Sequence, residues 1–188
     1  VVFLVTPILV YLGVVAEPFF RWLLTEKWLP AVPYFQILIL SGIFYPIHKY
    51  NLNICQLKGR SDLVLKLSIF QNALLLIGAF SAIWFGIYGL LYSLLIVNII
   101  VTAVNAYISG NLIQYGLKEQ FLDLLPTFML NFILGLIIIM LEYNFFSKFN
   151  DILNLLITGL VFVLLYSGVS YFLKIRPLKE VISFNKSL

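Results

Sequence analysis

The feature that most constrains the fold is residues 67–117, a run without any charged side chain. A single membrane-crossing helix needs about 20 apolar residues. The run is more than twice that length, so it predicts two membrane-spanning helices joined by a tight turn. The whole chain is 62% hydrophobic and 11% charged, which leaves too little polar surface to coat a water-soluble globule. We therefore predict a polytopic membrane protein.

The apolar segments predict an all-α fold, a polytopic transmembrane helical bundle of about six spans. The expected spans are 1–16, 31–47, 64–85, 88–109, 124–141 and 152–173, followed by a cytoplasmic tail at 176–188. Gly86 and Gly89 predict the turn between the third and fourth spans, because glycine adopts backbone angles that other residues resist. Pro46 predicts a kink near the end of the second span. No stretch has the two-residue alternation of a membrane barrel.

The beginning of the chain predicts a fragment. Val1 lies inside an apolar run, without an initiator Met or a cationic leader, so we expect part of the first helix to be missing and assign no signal peptide. The stretch 18–28 mixes aromatic residues with Arg21 and Lys27. Such a mixture is typical of the water–lipid interface, where we expect this stretch to lie.

The distribution of cations predicts the orientation of the spans. Nine of the 12 Lys and Arg residues lie on one side, in the segment 48–66, at Lys118 and from Lys174 to the end of the chain. The other side holds Arg21, Lys27 and Lys148. Since cytoplasmic loops are enriched in cations, the cation-rich side and the C-terminus are predicted to be cytoplasmic.

Neutral polar residues inside the spans are the candidate binding residues, since an amide in hydrocarbon is costly unless it finds a partner or faces a wet cavity. Asn98, Thr102 and Asn105 are spaced i, i+4 and i+7, which places them on one helix face, with Ser109 below them. Two interpretations stay open, helix–helix hydrogen bonding and the wall of a polar transport cavity. Further candidates for the same surface are Gln71, Asn72, Gln36, Ser41 and Asn131.

Lys66 is the one cation set just inside a span. Its ammonium group either extends to the cytoplasmic surface or meets a phosphate at the mouth of a cavity. His48 follows a predicted helix end beside Lys49, so we expect it at the membrane interface rather than acting as a proton sensor. Gly78 and Ala82, at i and i+4, predict a close-packing patch.

The sequence has no constellation typical of an enzyme. It contains no paired carboxylates within a span, no glycine-rich phosphate loop before Lys-Ser or Lys-Thr, and no metal-ligand spacing near Cys55. We predict no catalytic residues, no metal and no cofactor, and a structural role for Cys55. The net charge of +4 comes from cations flanking the spans, so no nucleic-acid partner is expected.

Three motifs occur in a characteristic order between the spans. They are Ala16-Glu17-Pro18-Phe19-Phe20-Arg21-Trp22-Leu23-Leu24, Leu57-Lys58-Gly59-Arg60-Ser61-Asp62 and Phe85-Gly86-Ile87-Tyr88-Gly89-Leu90. This order resembles the C-terminal part of bacterial polysaccharide (O-antigen) flippases, which belong to the multidrug/oligosaccharidyl-lipid/polysaccharide exporter superfamily. The resemblance extends from about residue 5 to about residue 175.

The resemblance implies a parent of about fourteen helices in two lobes, of which this chain supplies one lobe and a missing N-terminal lobe the other. It implies translocation of undecaprenyl-pyrophosphate-linked oligosaccharide units across the bacterial inner membrane by alternating access, with membrane lipid as a second partner. The candidate substrate-binding residues are Lys58, Arg60 and Lys66 near the cytoplasmic entrance, together with the neutral polar candidates Gln71, Asn72, Asn98, Thr102 and Asn105 inside the spans.

Two alternatives to a polysaccharide flippase remain. A drug or small-ion antiporter of the same superfamily is expected to carry a membrane-embedded carboxylate, and the predicted spans contain none. A membrane-embedded glycan polymerase or acyltransferase is expected to have a sizeable external loop with catalytic Arg, His or Asp residues, whereas the predicted external loops are short.

A lobe separated from its partner is expected to expose a polar inner face to lipid, which is unfavourable. We therefore predict that the isolated 188-residue chain is unstable or aggregates after extraction into detergent. Size-exclusion chromatography and thermal unfolding measure this. A monodisperse preparation with a cooperative transition would contradict the half-transporter interpretation.

Overall fold

The computed structural model describes residues 1–146 and 150–172, and within these ranges the chain contains helices and no strands. The α-helices are α1 (Val2–Val14), α2 (Ala16–Leu24), α3 (Val32–Gly42), α4 (Tyr45–Leu57), α5 (Ser61–Ile113), α6 (Leu117–Leu141) and α7 (Asp151–Phe172). A 3₁₀ helix, Glu26–Ala31, precedes α3, and a π-helix, Glu142–Phe146, follows α6. The predicted all-α class is confirmed. The predicted tail 176–188, residue 173 of the sixth span and Lys148 lie outside the described residues.

Several helical segments are long and apolar enough to cross a membrane. Among the described residues four qualify alone, and the pair α1–α2, bent by 74°, raises the number to five if it counts as one broken span. The four are Glu26–Leu57, Ser61–Ile113, Leu117–Asn144 and Asp151–Phe172. Helices close all their backbone hydrogen bonds internally, which is what hydrocarbon demands. The chain is therefore a multi-pass membrane protein.

Helix α5 is two antiparallel helices joined at Gly86. This glycine has φ 61° and ψ −147°, a combination that residues with a Cβ avoid. A Cβ added at Gly78 would lie 2.9 Å from Ser93 Oγ, although the two residues would be about 22 Å apart in an uninterrupted helix. The chain therefore reverses at Gly86, inside the segment where the turn was predicted, and residues 61–85 pack against residues 87–113. Each half is long enough for a crossing of about 20 residues.

The region predicted as the second span, 31–47, differs in the structure. Helix α3 ends at Gly42 and α4 begins at Tyr45, so the predicted single helix is interrupted. Pro46 lies in the first turn of α4, where its missing N–H is not needed. Helix α4 then continues to Leu57, so only residues 58–60 connect it to α5. Most of the cationic segment 48–66 is consequently helical.

The amphipathic stretch after the first span forms α2 and the following 3₁₀ helix. Ala16, Pro18 and Phe20 are buried. Trp22 and Trp28 are exposed, as expected of residues at a lipid interface. Arg21 joins α2 to the first turn of α7 through an ion pair of 3.3 Å with Asp151, and it also pairs with Glu17 at 2.8 Å.

The chain divides into two compact units. Unit one consists of residues 33–123 with residues 1–2, and unit two of residues 3–32 and those from 124 onward. The core of unit one holds Leu52, Cys55 and Leu67, with Val64, Val104, Ile108 and Leu112 packed against them. The core of unit two holds Phe3, Val15, Leu130, Leu134, Ile138, Phe162 and Tyr166. Helix α6 contributes its first two turns to unit one and its remainder to unit two.

The reversal at Gly86 gives a direct test of the hairpin. We expect Gly86→Ala to destabilise the protein by about 1–3 kcal/mol, because a Cβ is strained at this φ and ψ. Gly168→Ala is the matched control, since Gly168 lies in α7 and a Cβ there meets nothing within 4 Å. The two variants are compared by the midpoint temperature of their thermal inactivation in isolated membranes. Equal midpoints for both variants would contradict a left-handed turn at Gly86.

Candidate functional site

A line of buried polar side chains connects α3 and α4 to the second half of α5 in unit one. Asn98 Nδ2 donates to Ser41 Oγ at 2.6 Å, and Ser109 Oγ donates to Asn51 Oδ1. Between these two pairs, Asn105 Nδ2 lies 2.6 Å from His48 Nδ1. We call this set the polar seam, and its members are Ser41, His48, Asn51, Asn98, Asn105 and Ser109.

The register of the polar seam follows from helix geometry. The three pairs are separated by 57, 57 and 58 residues along the chain, so the two strips of helix run parallel. Successive members on each strip are three, four or seven residues apart, which keeps them on one helix face. Asn51, Asn105 and Ser109 are at most 1% exposed. The seam is therefore an internal contact between helices.

The contacts favour helix–helix hydrogen bonding for two of the three residues predicted on this face. Asn98 and Asn105 each bond a side chain on the neighbouring helices, and such bonds contribute about 0.6–2 kcal/mol in membranes. Thr102 Oγ1 and Asn105 Oδ1 are buried without a hydrogen-bond partner. These two oxygens, one in the seam and one beside it on α5, have lone pairs that are free to accept a hydrogen bond from a ligand.

His48 is buried against α5, with 7% of its surface exposed. The predicted second span ended at residue 47, whereas α4 runs from Tyr45 to Leu57 and carries His48 into contact with Asn105 of α5. Its predicted position at the membrane interface stays a prediction. Because the amide Nδ2 of Asn105 donates to Nδ1, the neutral ring holds its proton on Nε2. The signal that could have revealed this contact is the three-residue spacing of His48 and Asn51, which places two polar groups on one face of α4.

The predicted cationic residues Lys58, Arg60 and Lys66 are all exposed. Arg60 forms a two-pronged ion pair with Asp62, in which Nε lies 3.0 Å from Oδ1 and Nη2 lies 3.1 Å from Oδ2. This hydrogen-bonded carboxylate raises the pKa of the Arg60 guanidinium above its ordinary value. With the described residues, Lys58 and Lys66 form no ion pair, so they hold the uncompensated positive charge of this loop.

The cationic loop and the polar seam meet at one end of unit one. Because α4 and the second half of α5 run parallel, the loop 58–60 lies at the end where Asn51 pairs with Ser109. Leu67, just inside α5, packs with this end of the core. We call this region the cationic end, defined by Lys58, Arg60 and Lys66. From the cationic end, the polar seam extends along α4 and the second half of α5 toward Ser41 and Asn98.

The other two predicted residues of the third span are placed differently. Gln71 is half-buried and lies one turn beyond Leu67. Asn72 is exposed on the apolar outer face that also carries Ile69 and Leu76. Asn72 is therefore not brought together with Asn98, Thr102 and Asn105. Gln36 is also exposed, and the other second-span candidate, Ser41, accepts a hydrogen bond from Asn98 on the predicted face.

The connection from α5 to α6 is fixed by polar contacts that the sequence analysis missed. The Tyr115 hydroxyl donates to Asp123 Oδ2. Partial burial and the Asp123 carboxylate raise the pKa of Tyr115 to about 12, so the phenol is neutral at physiological pH. Gln120 Nε2 donates to the carbonyl oxygens of Ala106 at 3.2 Å and Tyr115 at 3.1 Å. These bonds fix the C-terminal end of α5 to the start of α6. This end of α5 lies on the same side of unit one as the cationic end.

The described residues contain no group of three or more His, Cys, Asp or Glu side chains arranged to hold a metal ion. Asn131, a predicted member of the polar surface, lies in unit two, where its Nδ2 donates to the carbonyl oxygen of Thr127 at 2.8 Å.

No protein-family profile, no curated protein and no solved structure matches the chain. The function of the chain is therefore inferred from the contacts and charges of its own residues.

The polar seam predicts strong coupling between His48 and Asn105. We expect Asn105→Leu to cost about 1–3 kcal/mol, because it leaves a buried imidazole nitrogen without a partner. Asn72→Leu, at an exposed position in the first half of α5, is the matched control and should change stability by less than about 0.5 kcal/mol. Thermal inactivation in isolated membranes measures both.

A double-mutant cycle tests the pair itself. His48→Leu combined with Asn105→Leu should cost less than the sum of the two single changes, with a coupling energy of about 0.5–2 kcal/mol. Strict additivity of the two changes would show that the hydrogen bond does not stabilise the protein.

Proposed function

We propose that the chain is one lobe of a flippase that moves lipid-linked oligosaccharide repeat units, of the undecaprenyl pyrophosphate type, across the bacterial inner membrane by alternating access. In this proposal a partner lobe precedes this lobe in the complete transporter. The C-terminus and the cationic end face the cytoplasm, as the bias of Lys and Arg favours.

The observation that carries this proposal is the position of exposed cations beside an uncharged polar seam in an otherwise apolar bundle. Lys58 and Lys66 are exposed and unpaired with the described residues, and Arg60 adds a third positive group beside Asp62. A pyrophosphate is drawn to such a group by about 1 kcal/mol for each cation near the membrane surface. This fits a lipid pyrophosphate presented at the inner leaflet.

The polar seam supports the second part of the proposal. An oligosaccharide is a neutral ligand rich in hydroxyl groups, so its passage requires amides and hydroxyls rather than charges along the path. Asn98, Thr102 and Asn105 supply such groups, and two of their oxygens are free. The side-chain bonds between α4 and α5 are also exchangeable contacts, which suits helices that rearrange between inward-facing and outward-facing states.

The order of sequence motifs supports the identity of the cargo. The segment Leu57-Lys58-Gly59-Arg60-Ser61-Asp62 and the turn Phe85-Gly86-Ile87-Tyr88-Gly89-Leu90 resemble polysaccharide flippases in their order between the spans. An antiporter built on an embedded carboxylate has less support, because within the described spans the buried side chains are neutral.

Removal of the cationic end tests the proposal in cells whose surface polysaccharide depends on this protein. Arg60→Ala with Lys66→Ala should remove about 2 kcal/mol of attraction for pyrophosphate, which corresponds to a roughly 30-fold weaker apparent affinity for the lipid-linked substrate. Surface polysaccharide, measured by immunoblot, should fall while lipid-linked precursor accumulates.

Lys27→Ala, at an exposed lysine of the 3₁₀ helix, is the matched control and should leave export unchanged. Protein abundance in the membrane is measured in parallel. Normal surface polysaccharide in the double variant, at normal abundance, would remove Arg60 and Lys66 from the mechanism.

A further inference from the structure

Three tyrosine rings form a cluster at one end of unit one. Tyr34 lies in the first turn of α3, and Tyr88 and Tyr92 lie one turn apart in the second half of α5. The ring centroids of Tyr34 and Tyr88 are 4.8 Å apart, and those of Tyr88 and Tyr92 are 6.3 Å apart. We call these three residues the tyrosine shelf.

The rings of Tyr88 and Tyr92 remain accessible. Their planes are nearly parallel, with an angle of 23° between them. Carbon atoms in contact are about 3.5–4.0 Å apart, so a centroid separation of 6.3 Å means that the two rings are offset and touch at most at their edges. Tyr88 is 42% exposed and Tyr92 is 52% exposed. The shelf therefore presents two aromatic surfaces of similar orientation to a ligand.

The tyrosine shelf and the polar seam are built on the same pair of helices. Ser41 of α3 pairs with Asn98 of α5, and Tyr34 and Tyr88 precede these two residues by about 10 Å and about 15 Å along their helices. Ser109, at the cationic end, is about 32 Å beyond Tyr88. Since the hydrocarbon core of a bilayer is about 30 Å thick, the shelf and the cationic end lie at opposite ends of the crossing.

The chemistry around the shelf suits a neutral ligand with an apolar face and a polar rim. Neither α3 nor the run 67–117 contains a charged residue, so the surroundings offer no counterion to a phosphate or a cation. A tyrosine combines an apolar ring face with a hydroxyl group. A sugar ring has the same two characters, since its C–H groups form an apolar face and its hydroxyls lie around the edge. Binding sites for small molecules are commonly lined in this way, by aromatic rings with few polar groups.

We propose that the tyrosine shelf is a carbohydrate-binding surface, on which sugar rings of the oligosaccharide stack against Tyr88 and Tyr92. The inference rests on the proposed function, in which the cargo is a lipid-linked oligosaccharide. In the orientation that the Lys and Arg bias favours, the shelf lies at the external end of unit one. It receives the glycan as the glycan leaves the polar seam, while the cations that attract pyrophosphate lie at the other end.

Tyrosines are also enriched at membrane interfaces, where they anchor a helix among lipid headgroups. The two roles differ in what lies against the rings. An anchor contacts lipid, whereas the shelf contacts the hydrogens on the ring carbons of a sugar. A measurement of contact between sugar hydrogens and the protein therefore separates them.

Saturation-transfer difference NMR on membranes that contain the full chain makes this measurement. The probe is the free repeat-unit oligosaccharide, released by mild acid from the lipid-linked precursor of the same cells. Its carbon-bound ring hydrogens should receive saturation from these membranes and not from membranes of cells that lack the protein. Equal saturation in the two kinds of membrane would overturn the proposal.

Matched variants locate the contact. Tyr88→Leu with Tyr92→Leu should weaken the affinity for the free oligosaccharide by about 25-fold, since each ring contributes about fivefold. Tyr88→Phe with Tyr92→Phe keeps both ring faces and should retain most of the affinity. Tyr107→Leu removes an exposed ring about 22 Å beyond Tyr92 on α5 and should leave the affinity unchanged.

The affinity is compared at equal protein abundance in the membrane. If the double Leu variant does not accumulate, Tyr92→Leu alone, at the more exposed ring, gives the same readout with an expected loss of about fivefold. Wild-type affinity in the Leu variants would overturn the proposal and leave the tyrosines as interface anchors.

Transport of the lipid-linked glycan into inverted membrane vesicles separates failure of the shelf from failure of the proposed function. Transport by the wild type, together with unchanged oligosaccharide affinity in the Leu variants, would overturn the shelf and leave the flippase standing. Oligosaccharide binding that depends on Tyr88 and Tyr92, without transport, would support the shelf and contradict the flippase.

Discussion

Burial of polar groups away from water is the constraint on which this structure depends. In hydrocarbon, an amide or hydroxyl without a partner is costly. The described helices satisfy their backbone groups internally and then place their polar side chains against one another. In unit one, Asn105 meets His48, and in unit two, Tyr166 meets the Phe3 carbonyl. Each unit thus has an apolar outside and a polar line inside, which is the reverse of a water-soluble domain.

The parts of the fold that depend on length and local conformation could be predicted from the sequence. The charge-free run 67–117 and Gly86 were sufficient to predict two helices and the position of the reversal. The shared face of Asn98, Thr102 and Asn105 could be predicted from helical periodicity alone. The partners of that face could not, because they lie in α3 and α4. Pro46, His48 and Lys49 made the start of α4 resemble the end of a span.

The polar interior of unit two could not be predicted for a different reason. Its members lie on three helices that are far apart in the sequence, and each helix alone is dominated by apolar residues. Asn131 was assigned to the same surface as Asn105 because both are amides inside spans, yet it bonds its own helix in unit two. The bonds from Tyr11 to the Leu155 carbonyl and from Tyr166 to the Phe3 carbonyl join residues more than 140 positions apart in the sequence. Periodicity within one helix carries no such information.

The two polar lines have different consequences for function. The polar seam begins beside exposed cations, which favours an anionic lipid carrier with a neutral, hydroxyl-rich cargo. The polar contacts of unit two join its own helices, as in the bond from the Tyr166 hydroxyl to the Phe3 carbonyl.

Movement of the lipid-linked glycan is the central claim, and a protection assay tests it most directly. Inverted inner-membrane vesicles are loaded on their outer leaflet with undecaprenyl-pyrophosphate-linked oligosaccharide and then treated with a membrane-impermeant glycosidase. In vesicles that contain the complete transporter, a growing fraction of the glycan should become protected as it reaches the lumen, and vesicles without the protein should show no protection. Equal cleavage in both would contradict the account.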